Sequence, residues 1–209
     1  MSSKDFAMID HLKTAMGKTV EEFQHNPEDF LYEENIRSLM YANLRCKLNQ
    51  RNEYKDARAI QYVKKPVNVS LVQAEYPRYS KLDPPVKRFD LAILAVPDSD
   101  SDRWHQPCRV AIEIKLWQPG ENNEGPWRDI NKLRRYWEAS KNAGRTFTGI
   151  AMLFILPGAE SRVEKEKRIK KITGIQPCDF PLDGVALHLV TPKGALHLVA
   201  PEGWYRGEY

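Results

Sequence analysis

The sequence lacks any long hydrophobic run: no window of its 209 residues approaches the ~20 apolar residues that a membrane-spanning helix needs. Its start, MSSKDFAMID, has neither the basic opening nor the apolar centre of a signal peptide, so the expectation is a cytoplasmic protein with no membrane association. Cysteine is scarce. Cys46, Cys108 and Cys178 stand far apart without paired spacing, which suits a reducing compartment better than a disulfide framework or a thiolate zinc site. His105-Gln-Pro-Cys108 is the nearest approach to a metal pair, and it is weak. An excess of either charge is also missing, since 32 Lys and Arg against 28 Asp and Glu leave a net charge of +4, compatible with a polyanionic partner without requiring one.

An apolar fraction of 42% with five Trp, nine Tyr and seven Phe is enough for one sizeable core, and 29% charged residues imply a very polar surface. The expected organisation is one globular unit: a helical decoration over 1–27, a core over 28–156, and a helix and hairpin over 157–209 that extend the same domain. The cations gather in residues 45–65, in Arg128-Lys132-Arg134-Arg135 and in 162–171. For any one cluster, a solvated helix face is the simplest reading.

Residues 4–16 and 19–25 read as two short helices, and Asn26-Pro27-Glu28 as the start of a third, with Asn as cap and Pro at the first position. In that third helix Ile36, Leu39, Met40 and Leu44 share one face. At 100° per residue Glu33 falls beside this apolar stripe and Glu34 points away from it. VNVSLVQAEY (67–76), RFDLAILAV (88–96) and RVAIEIKLW (109–117) read as a meander of three strands. The Gly/Pro/Asn-rich stretch 118–126 is a loop long enough to form a flap. Ile130, Leu133 and Trp137 set a helix over 127–142, and the continuous apolar run 148–156 is a central strand covered on both sides. A charged helix near 160–172 follows. The two ALHLV strands about Thr191-Pro-Lys-Gly194 then form a hairpin at or near the sheet edge, with His188 and His197 on the sheet surface. This order predicts an α/β fold with a mixed sheet and helices on both faces.

Charge inside the strands poses a question. Period-two alternation puts Val110, Ile112, Ile114 and Leu116 on one face of the third strand and Ala111, Glu113 and Lys115 on the other. Asp90 is likewise an acid within an apolar run. Burying such groups unpaired costs several kcal/mol or more, so that face is partly open or internally compensated. The acid-x-Lys triplet means little by itself, and Glu53-Tyr-Lys55 is another, set in a polar segment expected to be helical. One answer is structural: a salt-bridge cluster on an exposed strand face. The other is functional: Asp90 and Glu113 hold a hard divalent cation such as Mg2+, with Mn2+ as a substitute, and the backbone carbonyl of Ile114 adds an oxygen. Lys115 would then stand beside the metal-bound water as general base or as positioner, and Glu33 would reach the same site from its helix.

Glu33 in FLYEENI, Asp90 in RFDLAIL, and Glu113 and Lys115 in VAIEIKLW, followed by a helix at RDINKLRRYW, resemble the PD-(D/E)xK nuclease superfamily over roughly residues 28–156. Phe89 stands where that motif has Pro, and Glu34 beside Glu33 leaves the helix acid ambiguous. The resemblance implies a restriction endonuclease-like core and Mg2+-dependent phosphodiester hydrolysis, with an endonuclease and DNA favoured over RNA. It leaves open a catalytically inactive relative that binds nucleic acid or a protein partner. An α/β scaffold unrelated to nucleic acid is a third reading. Lys132, Arg134, Arg135, Lys167, Lys170 and Lys171 are the candidate phosphate contacts, and Trp117, Trp127 and Tyr136 are candidates for base stacking or, more simply, for packing. A homodimer would suit cutting both strands.

Overall fold

Apolar residues spaced three and four apart from Ile9 through Leu12, Met16 and Phe23 lie on one buried face, and a single helix, α1 (Ser3–His25), carries them. The computed structural model describes residues 3–49, 51–54, 67–77, 88–96, 108–118, 127–159 and 183–199. The expected break at Gly17 does not occur: this glycine lies on the solvent side with open space around it, so it costs only helix propensity, about 1 kcal/mol.

The helix expected to begin at Pro27 begins later. Pro27–Asp29 form a 3-10 turn, and α2 spans Glu33–Lys47. Between them Phe30 turns inward against Phe23, with ring centroids 5.5 Å apart, and this anchor interrupts the helical path. The Asn26 side chain donates to Glu22 instead of capping the turn, while the Asn35 side chain accepts the Tyr32 N–H at 3.0 Å and closes the α2 N-terminus. Ile36, Met40 and Leu44 are fully buried, and Asn43 donates to Thr19 Oγ1, tying α2 to α1.

Two sheets follow. β1 (Arg51–Tyr54) pairs antiparallel with β2 (Val67–Ser70), so part of the polar segment expected to be helical is strand. The single strand expected over 67–76 is divided at Leu71, whose carbonyl accepts the Leu94 amide, and β3 (Val72–Pro77) joins the main sheet. That sheet has six strands in the order β3-β4-β5-β6-β7-β8, with β4 at Arg88–Leu94, β5 at Cys108–Trp117, β6 at Thr148–Ile155, β7 at Gly184–Thr191 and β8 at Gly194–Val199. β3, β4 and β5 form an antiparallel meander. β5, β6 and β7 are mutually parallel, with α3 (Trp127–Asn142) connecting β5 to β6, and β7 returns as a hairpin through β8.

The alternation read from β5 decides the layers. Val110, Ile112, Ile114 and Leu116 join α1, α2 and the even-numbered side chains of β6 in one core. Ala111 and Trp117 face α3 with Ile130, Leu133 and Phe147 in the other. The fold is therefore α/β, a mixed sheet with helices on both faces, and α1 shares a core with α2 and the sheet. One expectation fails within the hairpin. His188 is buried, because it shares a face of β7 with Val190, and that face is covered by the core that α1 and α2 form with the sheet. The 118–126 flap beyond Gln118 and the charged helix near 160–172 lie outside the described residues. Among the described residues no helix is long and apolar enough to cross a membrane.

Candidate active site

Pairing between β4 and β5 runs from Leu94↔Cys108, across an irregularity at Ile93, to Leu91↔Ile112, and past that point side chains replace the ladder. The Ile114 amide donates to Asp90 Oδ2 at 2.7 Å, and the Leu116 amide to Glu33 Oε2 at 3.3 Å. Successive outward amides of β5 thus bond carboxylates where a neighbouring strand would have supplied carbonyls, so the edge is polar yet hydrogen-bonded. In an antiparallel pair a residue's amide and carbonyl share one side, so the Ile114 carbonyl belongs to the same freed edge. Opposite Asp90 the other neighbour of β4 also departs from regular pairing: Glu75 of β3 has φ of 50° and turns its carboxylate to Arg37.

Glu33 reaches the site from the first residue of α2. Both of its oxygens lie 3.3 Å from Lys115 Nζ, and Asp129 Oδ2, from the first turn of α3, lies 3.7 Å from the same ammonium. Glu34 is 68% exposed and lies 3.8 Å from Arg37, so Glu33 is the acid that the helix presents to the strands. Arg37, one turn along α2 from Glu33, lies 3.7 Å from Asp90 Oδ1. Glu113 is almost wholly buried, and its Oε1 lies 2.6 Å from Lys132 Nζ. At that distance the ammonium and the carboxylate form a close ion pair.

Electrostatics follow from this partial burial. Burial raises the Glu113 carboxyl well above the usual range; Lys132 opposes the rise, and Asp90 and Asp129 add to it. Burial also raises Asp90, against the Ile114 amide and the cations Lys132, Lys115 and Arg37. Glu33 is raised by burial against Lys115 and the Leu116 amide. For Lys115, burial lowers the pKa, but Asp129, Glu33 and Asp90 outweigh it, and the ammonium is held above its ordinary value.

Asp90, Glu113, Lys115 and Glu33 therefore meet at the mouth of the β4–β5 split. Among the described residues no three His, Cys, Asp or Glu side chains form a ready metal cage. Cys108 is buried with its thiol pushed up by burial, which leaves no thiolate for the weak His105/Cys108 pair, and His105 is outside the described residues. The basic residues divide. Lys132 is not a surface cation but part of the site. Arg134 pairs with Glu138 at 2.8 Å, Arg135 is exposed, and Lys167, Lys170 and Lys171 lie outside the described residues. Trp117 is fully buried and Tyr136 packs against Phe89 and Phe147, so neither is placed to stack on a base.

Sequence reasoning overlooked Asp129, Arg37 and the inward role of Lys132. Helical spacing carried a signal for each: Arg37 lies four residues after Glu33, and Asp129 three before Lys132, so each pair shares a face. No protein-family model matches the chain, and no curated protein or solved structure matches it either.

Proposed function

We propose that the chain is a Mg2+-dependent nuclease of the PD-(D/E)xK type, built on a restriction endonuclease-like core and hydrolysing phosphodiester bonds, in DNA in preference to RNA. The supporting observation is the split between β4 and β5, which collects Asp90, Glu113 and Lys115 at one opening with Glu33 hydrogen-bonded to the freed edge. The donor set fits a hard cation: two carboxylates on adjacent strands, that of Glu113 almost wholly buried, and the Ile114 carbonyl beside them. Asp90, Glu113 and the Ile114 carbonyl would hold the ion. When bound, it lowers the pKa of its water and offsets charge on the attacked phosphorus.

The chain's own groups supply the rest. Lys115, gripped by Glu33 and Asp129, keeps its proton and is assigned to positioning and charge stabilisation rather than to proton abstraction. Glu33 acts through Lys115 and the Leu116 amide, fixing the direction of the ammonium. Partial burial strengthens each of these charge interactions relative to open water.

The test is cleavage of plasmid and of oligonucleotides with Mg2+ or Mn2+, comparing wild type with Asp90→Ala and Lys115→Ala. Both substitutions should abolish cleavage, and cleavage unchanged in both would discard this site. A second reading, an inactive nuclease fold that binds nucleic acid or a protein partner, is favoured by the cations that already face each acid: Lys115 on Glu33, Arg37 near Asp90 and Lys132 on Glu113. Wild type inert on single-stranded, double-stranded and branched DNA and on RNA would move the weight to that reading.

A further inference from the structure

Lys132 occupies an unusual place for a lysine in the middle of a polar helix. Its side chain is only 11% exposed, and its ammonium lies 2.6 Å from Glu113 Oε1. The same ammonium donates to the Arg88 carbonyl and lies 5.4 Å above the centre of the Phe89 ring. Glu113 is 4% exposed on its side chain. A carboxylate so placed needs a neighbouring positive charge to remain ionised in the fold.

Three features of this contact bear on what Lys132 does. The contact is a close ion pair at the end of a flexible side chain, so what it supplies to Glu113 is chiefly positive charge, which another cation can supply in its place. Glu113 is also one of the two carboxylates assigned to Mg2+, and a cation at 2.6 Å competes for its charge with any ion arriving from the β4–β5 opening. The third feature is a resting place. Released from Glu113, the ammonium keeps the Arg88 carbonyl and the face of Phe89, which avoids stranding a bare charge in the interior. Asp129 and Lys115, also near this end of α3, lie 3.7 Å from each other, and Asp90 faces both Glu113 and Lys132.

We infer that Lys132 is a resident counter-ion for Glu113: in the metal-free protein it holds the charge position that the divalent cation takes over, and metal entry exchanges against it. The ammonium moves back onto the Arg88 carbonyl and the Phe89 ring. This inference rests on the Mg2+ reading of the site. It makes Lys132 a positioning residue that sets metal affinity and stabilises the empty site.

The test is calorimetric titration of the full chain with Mn2+ and with Mg2+, together with thermal unfolding with and without metal, for wild type, Lys132→Gln and Lys132→Arg. Lys132→Gln should bind Mn2+ on the order of tenfold more tightly, the usual size of a coupling between two sites. Its metal-free midpoint should fall and its metal-induced shift should exceed that of wild type, whereas Lys132→Arg, which keeps the charge, should stay near wild-type affinity. Should Lys132→Gln be unfolded without metal, folding on addition of Mn2+ supports the exchange, and failure to fold at saturating Mn2+ overturns it. Folded Lys132→Gln with affinity equal to or weaker than that of a metal-binding wild type overturns the inference and leaves the proposed function standing. Absence of both heat and midpoint shift in wild type and variant alike removes the metal site, and with it both proposals.

Discussion

Replacing Gly149 by alanine probes the spacing between α3 and the sheet, on which two contacts of the site depend. A Cβ at Gly149 would lie 2.9 Å from Leu133 Cβ, 3.2 Å from Val185 Cγ2 and 3.3 Å from Phe147 Cε1. Carbon atoms pack at ~3.5–4.0 Å, so the first contact must open by about half an ångström or more, and Leu133 Cβ moves only with the backbone of α3. Overpacking of this kind costs about 1–3 kcal/mol. For a chain of this size that corresponds to a fall in Tm of about 2–12 °C. In urea the midpoint should drop with the slope unchanged. Leu133→Ala in the same chain should give no rescue, because alanine keeps the offending Cβ. α3 also carries Asp129, 3.7 Å from Lys115, and Lys132, 2.6 Å from Glu113, so its displacement should alter the metal-induced stabilisation as well. A Gly149→Ala protein within ~0.5 kcal/mol of wild type would refute the close approach.

Two further outcomes are expected. Glu33, Asp90 and Glu113 all have raised carboxyl pKa values in the fold, so their protonated forms favour folding: the stability they contribute is present below the ordinary carboxylate range and lost as pH rises through their raised values. Thermal melts of wild type and Glu113→Gln from about pH 4 to pH 8 should therefore show the variant gaining relative to wild type as pH increases; a relative stability of the variant that is flat or falls contradicts the assigned burial. At Glu75, with φ of 50°, glycine should be the better tolerated replacement: Glu75→Gly and Glu75→Ala both lose the Arg37 pair, yet the alanine variant should be less stable in urea by about 1 kcal/mol, and equal stabilities would argue against the left-handed backbone.

Elements whose pattern reports burial on one side or both were legible from sequence. α3 was expected over 127–142 and spans Trp127–Asn142, since Ile130 and Leu133 recur at helical spacing. β5 and β6 were equally readable, and the assignment of Glu113 and Lys115 to one face of β5 follows from alternation alone. Boundaries that depend on a distant contact were not. The two-helix reading of the N-terminus gave way to one helix because Gly17 faces open space. The start of α2 moved because Phe30 docks on Phe23, and the 67–76 strand divides where Leu71 bonds Leu94. His188 was placed on the surface because sequence does not say that both faces of β7 are covered.

Residue types and local period alone determined that an acid on β4 and an acid and a lysine on β5 are out of place in a dry core. Local period also turned Glu33, rather than Glu34, toward that core. Only tertiary structure decided how those charges are satisfied. The β4–β5 ladder stops after Leu91↔Ile112, so Asp90 and Glu33 bond amides of a strand edge that no sequence period reveals. Lys132 looked like one more surface cation of a basic helix until α3 was seated over the sheet, where proximity to Glu113 made it part of the site. The physical reason is range: alternation and helical spacing are local properties of the chain, whereas the partner of a buried charge is set by the packing of elements far apart in sequence.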